Sequence, residues 1–375
     1  MISYWEKIEF LKYDLIIVGS GIVGLFTALE FLSNHPKSKI AVFDKGIFPD
    51  GASTKNAGFA CFGSLSEIIE DNKLVSENAL LELVENRVKG LEILRKTLGD
   101  KKIDFQQLGG NELYFNPIDK LTDQINYYNK LLKSIFKKRV YFLKNDFIEN
   151  FGLSKEHIKN LVHTPFEGQI NSGKTIYFLQ RKITELGGKI YNNTHVEKII
   201  CEPKKNKIIV ENNKRKIHFE SNFLAVCTNA FAKNWFPKED INPGRGIVLV
   251  TRPIKNLKIK GCFHYEKGFN YFRNIDERIM IGGGRNIDFH GENTTDHGIN
   301  LKIKKKLIDD LKKFIIPNKN FQIDMEWSGI MAFGKTKKPI IKSISERAAI
   351  GVRIGGMGIA IGSIVGKKTY EHLNT

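Results

Sequence analysis

Three glycines and one carboxylate are the first residues whose spacing suggests chemistry: Gly19, Gly21 and Gly24, with Asp44 twenty positions after the last. Gly19 permits a tight turn, Gly21 lets the backbone approach a pyrophosphate, and Gly24 lets a following helix pack close on the preceding strand. The free N–H groups at such a helix start, near Ile22 and Val23, and the positive end of its dipole favour phosphate. Asp44 stands where an acidic side chain accepts hydrogen bonds from a ribose hydroxyl, and its charge argues against a 2′-phosphate. The pattern predicts dinucleotide binding and leaves nicotinamide and flavin dinucleotides both open.

Two further stretches suit a bound ligand. Lys45 opens a segment running through Gly51, Ser53, Thr54, Asn56, Ala57 and Gly58, which is too small and too polar for a core element. It offers backbone donors, hydroxyls and close approach, as a turn laid against phosphate and a ring system requires. The apolar run of residues 223–227 stops at Thr228 and Asn229, small polar residues at a strand end, where α/β proteins place ligands. Near the chain end, Gly355, Gly356, Met357, Gly358 and Ile359 form a glycine turn between an apolar strand and a helix. A second helix N-terminus is thereby available to an anion or a polarised carbonyl.

The elements that must hold these residues follow from hydrophobic periodicity. Residues 15–18 and 40–43 read as strands buried on both faces. Amphipathic helices are predicted over 72–98, 120–137 and 172–187, and strands over 103–107, 112–115, 189–201, 207–211 and 216–219. From 244 to 330 the pattern becomes β-rich, with strands at 246–252, 269–274 and 278–283, which predicts a separate antiparallel sheet. A helix over 298–314 follows, then 321–330.

At 375 residues the chain exceeds one ordinary core, so two domains, interleaved in sequence, are expected. The formal charge of +18 would suit an acidic partner such as nucleic acid. The lysines are scattered, however, in short clusters at 204–205, 302–306 and 335–338, which favours a solvated basic surface. Cys61, Cys201, Cys227 and Cys262 stand far apart, so reduced thiols are expected. The N-terminus does not read as a signal peptide and no run reaches membrane-spanning length, which predicts a cytoplasmic protein. His264, His290 and His297 have no carboxylate at a telling spacing and read as structural or surface residues. No metal cluster and no activated serine or cysteine is evident. The chemistry must come largely from a cofactor.

Taken together, these segments resemble the D-amino-acid oxidase and glycine oxidase family of FAD-dependent oxidoreductases over nearly the whole chain. The marks are residues 19–24 with Asp44, the loop 51–58, Thr194-His195-Val196, and residues 353–360. The resemblance implies an α/β fold with a Rossmann-like FAD-binding domain of the glutathione-reductase type, carrying a β-meander insertion, over residues 1–85, 145–235 and 335–375. A second, α+β substrate domain built on an antiparallel sheet would take residues 86–144 and 236–334. It further implies that Ser53, Thr54, Asn56, Ala57 and Gly58 lie along the flavin, that Val196 meets adenine through its backbone, and that residues 356–359 place a helix end near the flavin's pyrimidine carbonyl. Residues 331–339 contain no Cys or His, unlike relatives that tether flavin there, so FAD should be non-covalent.

Two departures bear on substrate. The strand end reads Cys227-Thr228-Asn229 where the family often has Ala-Thr-Gly, and no arginine follows Trp327-Ser328-Gly329, where many relatives carry one for a substrate carboxylate. Tyr271 and Arg273, which alternate onto one face of a strand, are the leading replacements, with Arg353, Arg245 and Arg285 as further candidates. The implied reaction is oxidation of a small amine or amino acid by hydride transfer from the carbon bearing nitrogen to flavin N5, giving an imine and then a carbonyl product. Oxygen or another acceptor would take the electrons. Dehydrogenation of a hydroxy acid, or oxidation of a tRNA-borne amine side chain, are the alternatives.

Overall fold

A computed structural model describes residues 2–212 and 215–373. Strand Lys12–Val18 lies inside the first sheet because its apolar residues are covered on both faces. It pairs in parallel with Ile40–Phe43 on one side and Arg215–Val226 on the other. Beyond these stand Lys189–Tyr191 at one end, and Ala348–Val352 with Ile340–Ser345 at the other. Helices Ile22–Asn34, Ser172–Glu185 and Gly358–Glu371 cover one face around Leu15, Ile17, Phe26 and Val365. On the other face Val196–Cys201 and Asn206–Asn212 form an antiparallel meander leading into Arg215–Val226.

The second sheet runs in the order Ile323–Phe333, Asn242–Thr251, Arg278–Gly283, Asn270–Ile275, Cys262–Tyr265, Gly110–Tyr114, Asn160–Thr164 and Phe142–Leu143. Alternation sorts its side chains. Leu249, Phe263, Phe272 and Ile281 pack with helix Leu301–Asp310, while Val248, Val250, Tyr271 and Met280 face Ala57, Phe59 and the cofactor loop.

Several boundaries differ from the sequence expectation. Asn160–Thr164, which lies in the stretch expected to bind the cofactor, pairs antiparallel with Gly110–Tyr114 in the second sheet. Residues 72–98 form the end of Leu65–Leu74 and the whole of Glu77–Leu98, divided where Ser76 caps the second helix by accepting from the Ala79 amide. That second helix reaches into the stretch expected to bind substrate, and its Gly90 O accepts a 2.7 Å hydrogen bond from Ser363 of helix Gly358–Glu371. Residues 103–107 hold only an isolated bridge between Gln106 and Gln169. Helix Leu301–Asp310 begins where Asn300 accepts from the Lys302 and Ile303 amides.

Candidate active site

The fingerprint turn is built as its glycines require. Gly19 takes φ +107°, and a Cβ on Gly24 would stand 2.0 Å from Gly19 O, so no side chain fits between helix and strand. Helix Ile22–Asn34 starts at Gly21 with no side-chain cap from that residue, which leaves its N-terminal dipole aimed at the turn. Asp44 Oδ2 accepts from Ser20 N at 2.9 Å and Ser20 Oγ at 2.6 Å, and Oδ1 accepts from Gly46 N at 3.0 Å. The carboxylate is thus fixed beside the turn with lone pairs to spare for a ribose.

The loop that follows closes on the same helix start. Ser53 Oγ accepts from Ile22 N at 3.0 Å. Asn56 holds the loop's shape: its Oδ1 accepts from Gly58 N at 2.8 Å and Ser172 Oγ at 2.6 Å, and its Nδ2 donates to Ala52 O and Ser53 O. Thr54 Oγ1 donates to Pro49 O, and the Lys45 ammonium lies 3.6 Å from the centre of the Phe231 ring. Val196 is buried at the start of the meander. Thr228 Oγ1 is buried with no protein partner among the described residues, and Asn229 beside it is left-handed at φ +49°. Gly355 is also left-handed, and Met357 caps a second helix N-terminus that begins at Gly358 and Ile359. An orphaned hydroxyl, two helix starts whose own N-cap residues, Gly21 and Met357, give no side-chain bond, and a glycine cradle fit an FAD laid between them.

Opposite the loop stands the second sheet. Tyr271 packs edge-on against Phe59 with ring centres 5.2 Å apart, and burial pushes its phenol up to about 12. Arg273 is buried beneath the loop, because a Cβ on Gly58 would meet its Nη2 at 3.1 Å. Its Nη2 donates to Ile170 O at 3.2 Å, while Nε is sealed from solvent and has no partner among the described residues. Burial pulls its pKa below the usual range. A cation in that state calls for an anion. Trp327 Nε1 donates to Lys55 O at 2.9 Å and ties sheet to loop.

The other arginines separate clearly. Arg353, expected as a catalytic candidate, is corrected to a structural role: Nε donates to Lys338 O, Nη1 to Asp240 O and Oδ2, and Nη2 to Thr336 Oγ1 and Lys338 O. These bonds occupy all five guanidinium N–H groups and leave none for a substrate. Arg245 is bound on both carboxylate oxygens of buried Glu292. Arg285 has a buried Nε with no partner among the described residues and packs on Phe333 and Phe289.

His264 is a buried structural histidine, as the sequence reading has it, with a carboxylate partner that spacing does not show. Its Nε2 lies 3.2 Å from Glu167 Oε2, and Cys61 completes a buried group whose possible ligand atoms all lie within 4.8 Å of one another. The reading that no metal-competent cluster exists therefore does not hold as geometry. Glu167 also accepts from Gly63 N, so the group stands as a hydrogen-bonded ion pair beside a thiol. Spacing could not show it, since three distant segments supply one residue each. All four cysteines are free thiols. Among the described residues, no helix is long and apolar enough to cross a membrane.

Comparison with known proteins agrees with this architecture. The family model described as FAD dependent oxidoreductase (DAO) matches residues 14–372. The mitochondrial L-2-hydroxyglutarate dehydrogenase of Bos taurus is 21% identical over 381 residues, covering 93% of this chain and 77% of that protein. Glycine oxidase from Geobacillus kaustophilus superposes with a TM-score of 0.77 at 18% identity, over 97% of this chain and 95% of that one. L-proline dehydrogenase from P. horikoshii gives 0.76 at 20% identity, over 96% and 93%.

Proposed function

The chain belongs to the DAO family of FAD-dependent oxidoreductases, and from that membership we propose that it oxidises a small amine or amino acid at the C–H bond next to nitrogen. The observation that carries this reading is the pairing of Tyr271 and Arg273, side by side on one sheet face, with the loop at Gly58 and Phe59. When bound, FAD supplies the two-electron acceptor for the departing hydride.

The chain's own residues bind and orient. The turn at Gly19, Gly21 and Gly24, with Asp44, would hold the pyrophosphate and ribose, and Thr228 and the helix start at Gly358 the remainder of the dinucleotide. Phe59, Tyr271 and Trp327 exclude water above the sheet. A neutral amine needs no base to release hydride, and water then hydrolyses the imine to a carbonyl compound. Arg273 would offset negative charge gathered at the Gly58 loop. Oxygen or another acceptor, and a cytoplasmic location, belong to the same proposal.

A second reading, dehydrogenation of a hydroxy acid, is supported by the bovine relative, whose name is that of a hydroxy-acid enzyme. Anaerobic mixing of the FAD-loaded protein with pooled amines, amino acids and hydroxy acids tests both. Bleaching of the flavin by an amine or amino-acid pool is expected; bleaching by hydroxy acids alone would replace the first reading with the second. Air admitted afterwards distinguishes oxygen from another acceptor.

A further inference from the structure

On the face that carries Tyr271, the second sheet turns small. Gly244 stands opposite Met331, Gly246 opposite Gly329, and Gly282 between Val248 and Tyr271. Neighbouring side chains lie over these glycines: Met331 over Gly246, Tyr271 over Gly282, Phe333 and Arg285 over Gly244, and Lys55 over Gly329.

Arg285 reaches over Gly244 from the turn after Arg278–Gly283. Two left-handed glycines aim it: a Cβ on Gly283 would stand 2.0 Å from Phe269 O, and one on Gly284 would stand 2.5 Å from the Ile303 side chain. The guanidinium carbon lies 4.3 Å from the Phe333 ring centre and 5.1 Å from that of Phe289. Its Nε is 3.0 Å from where a Cβ on Gly244 would sit, so the group lies against that glycine.

No carboxylate pairs with Arg285 among the described residues. Burial lowers the pKa of Arg285, and Glu292, the one acid among the described residues that acts against this, is already engaged: Arg245 donates to both oxygens at 3.1 and 2.8 Å, and Asn300 Nδ2 donates at 2.9 Å. A guanidinium cannot shed its proton at neutral pH, so it is a half-buried cation lacking a counter-ion. Its planar fork matches the two oxygens of a carboxylate. At the rim, Phe269 and Phe289 meet edge-on at 5.6 Å and remain 38% and 48% exposed, which suits an apolar group.

We propose that Arg285 receives the substrate's carboxylate, and that the substrate is a monocarboxylic acid whose side chain is apolar. This rests on the oxidoreductase reading above and names the substrate class for that same site. The turn after one strand thereby supplies the cation that the segment after Trp327 lacks, and Arg273 serves the loop at Gly58.

Calorimetric titration of the FAD-loaded protein with 3-phenylpropionate, its amide and glutarate tests the proposal without turnover. The acid should bind at least tenfold more tightly than the amide and than glutarate. Arg285→Leu should abolish the preference for acid over amide, and Arg285→Lys should keep part of it, with flavin content per protein unchanged in both. Equal binding of acid and amide by the wild type, or an undiminished preference in Arg285→Leu, would overturn the assignment. Tighter binding of glutarate would overturn the apolar side chain. Should Arg285→Leu not fold, the wild-type comparison and Arg285→Lys decide. Failure to take up FAD would instead defeat the oxidoreductase reading and is seen separately in the flavin absorbance.

Discussion

His264 Nε2 stands 3.2 Å from Glu167 Oε2, in a buried junction where the second sheet meets the cofactor loop. Burial alone would disfavour the charged imidazole, but the Glu167 carboxylate outweighs it and raises His264 to about 9. Cys262 and Glu67 act on the ring in the same direction, and Cys61 faces Glu167. Because the folded-state pKa is raised, the pair's contribution to stability is complete below the ordinary histidine value and is lost as pH rises through about 9. Glu167→Gln should lower stability by about 3–5 kcal/mol and remove that alkaline loss. Melting temperatures from pH 6 to 10 check it; parallel profiles for wild type and variant would dismiss the ion pair.

Cofactor retention should depend on Asp44. Its carboxylate is held by Ser20 and Gly46 beside the glycine turn. Asp44→Ala should weaken FAD binding by at least about tenfold, the scale of one charge-assisted hydrogen bond. Flavin absorbance retained after gel filtration reads this directly, and full retention would move the ribose elsewhere.

Gly24→Ala should have a larger effect through a different cause. The new methyl would meet Gly19 O at 2.0 Å, so helix and strand must separate. Both flavin content and thermal stability should fall together, and stability should fall further than in Asp44→Ala, which leaves the Ser20 and Gly46 donors unpaired. A stable, yellow Gly24→Ala protein would show that the turn can relax.

Arg273 should matter to turnover. Its Nε has no partner, and its Nη2 meets only Ile170 O among the described residues. Arg273→Ala should lower the turnover rate at saturating substrate at least about tenfold, as expected for losing a fixed charge beneath the Gly58 loop. An unchanged value would take Arg273 out of the site.

Arg353 should behave oppositely. With five hydrogen bonds to Asp240, Thr336 and Lys338 around a left-handed backbone at φ +60°, it fastens the segment before the last helix. Arg353→Ala should cost about 2–4 kcal/mol of stability while leaving the half-saturating concentration of the folded fraction near its wild-type value. A selective change in that concentration with unaltered melting would return Arg353 to the substrate.

Local spacing alone determined the strand, glycine turn and helix around Gly19 to Gly24. The turn at Gly19, Gly21 and Gly24 is complete within a few residues, and its strand and helix carry their own burial patterns, so no distant contact was needed to read it. Period-two alternation likewise placed Tyr271 and Arg273 on one face. Only the tertiary structure decided which charges are free. Arg353 finds Asp240, Arg245 finds Glu292 and His264 finds Glu167, each partner remote in sequence, while Arg273 and Arg285 find no carboxylate among the described residues. Whether a buried cation is structural or awaits a ligand depends on distances through space, and separation along the chain does not encode them.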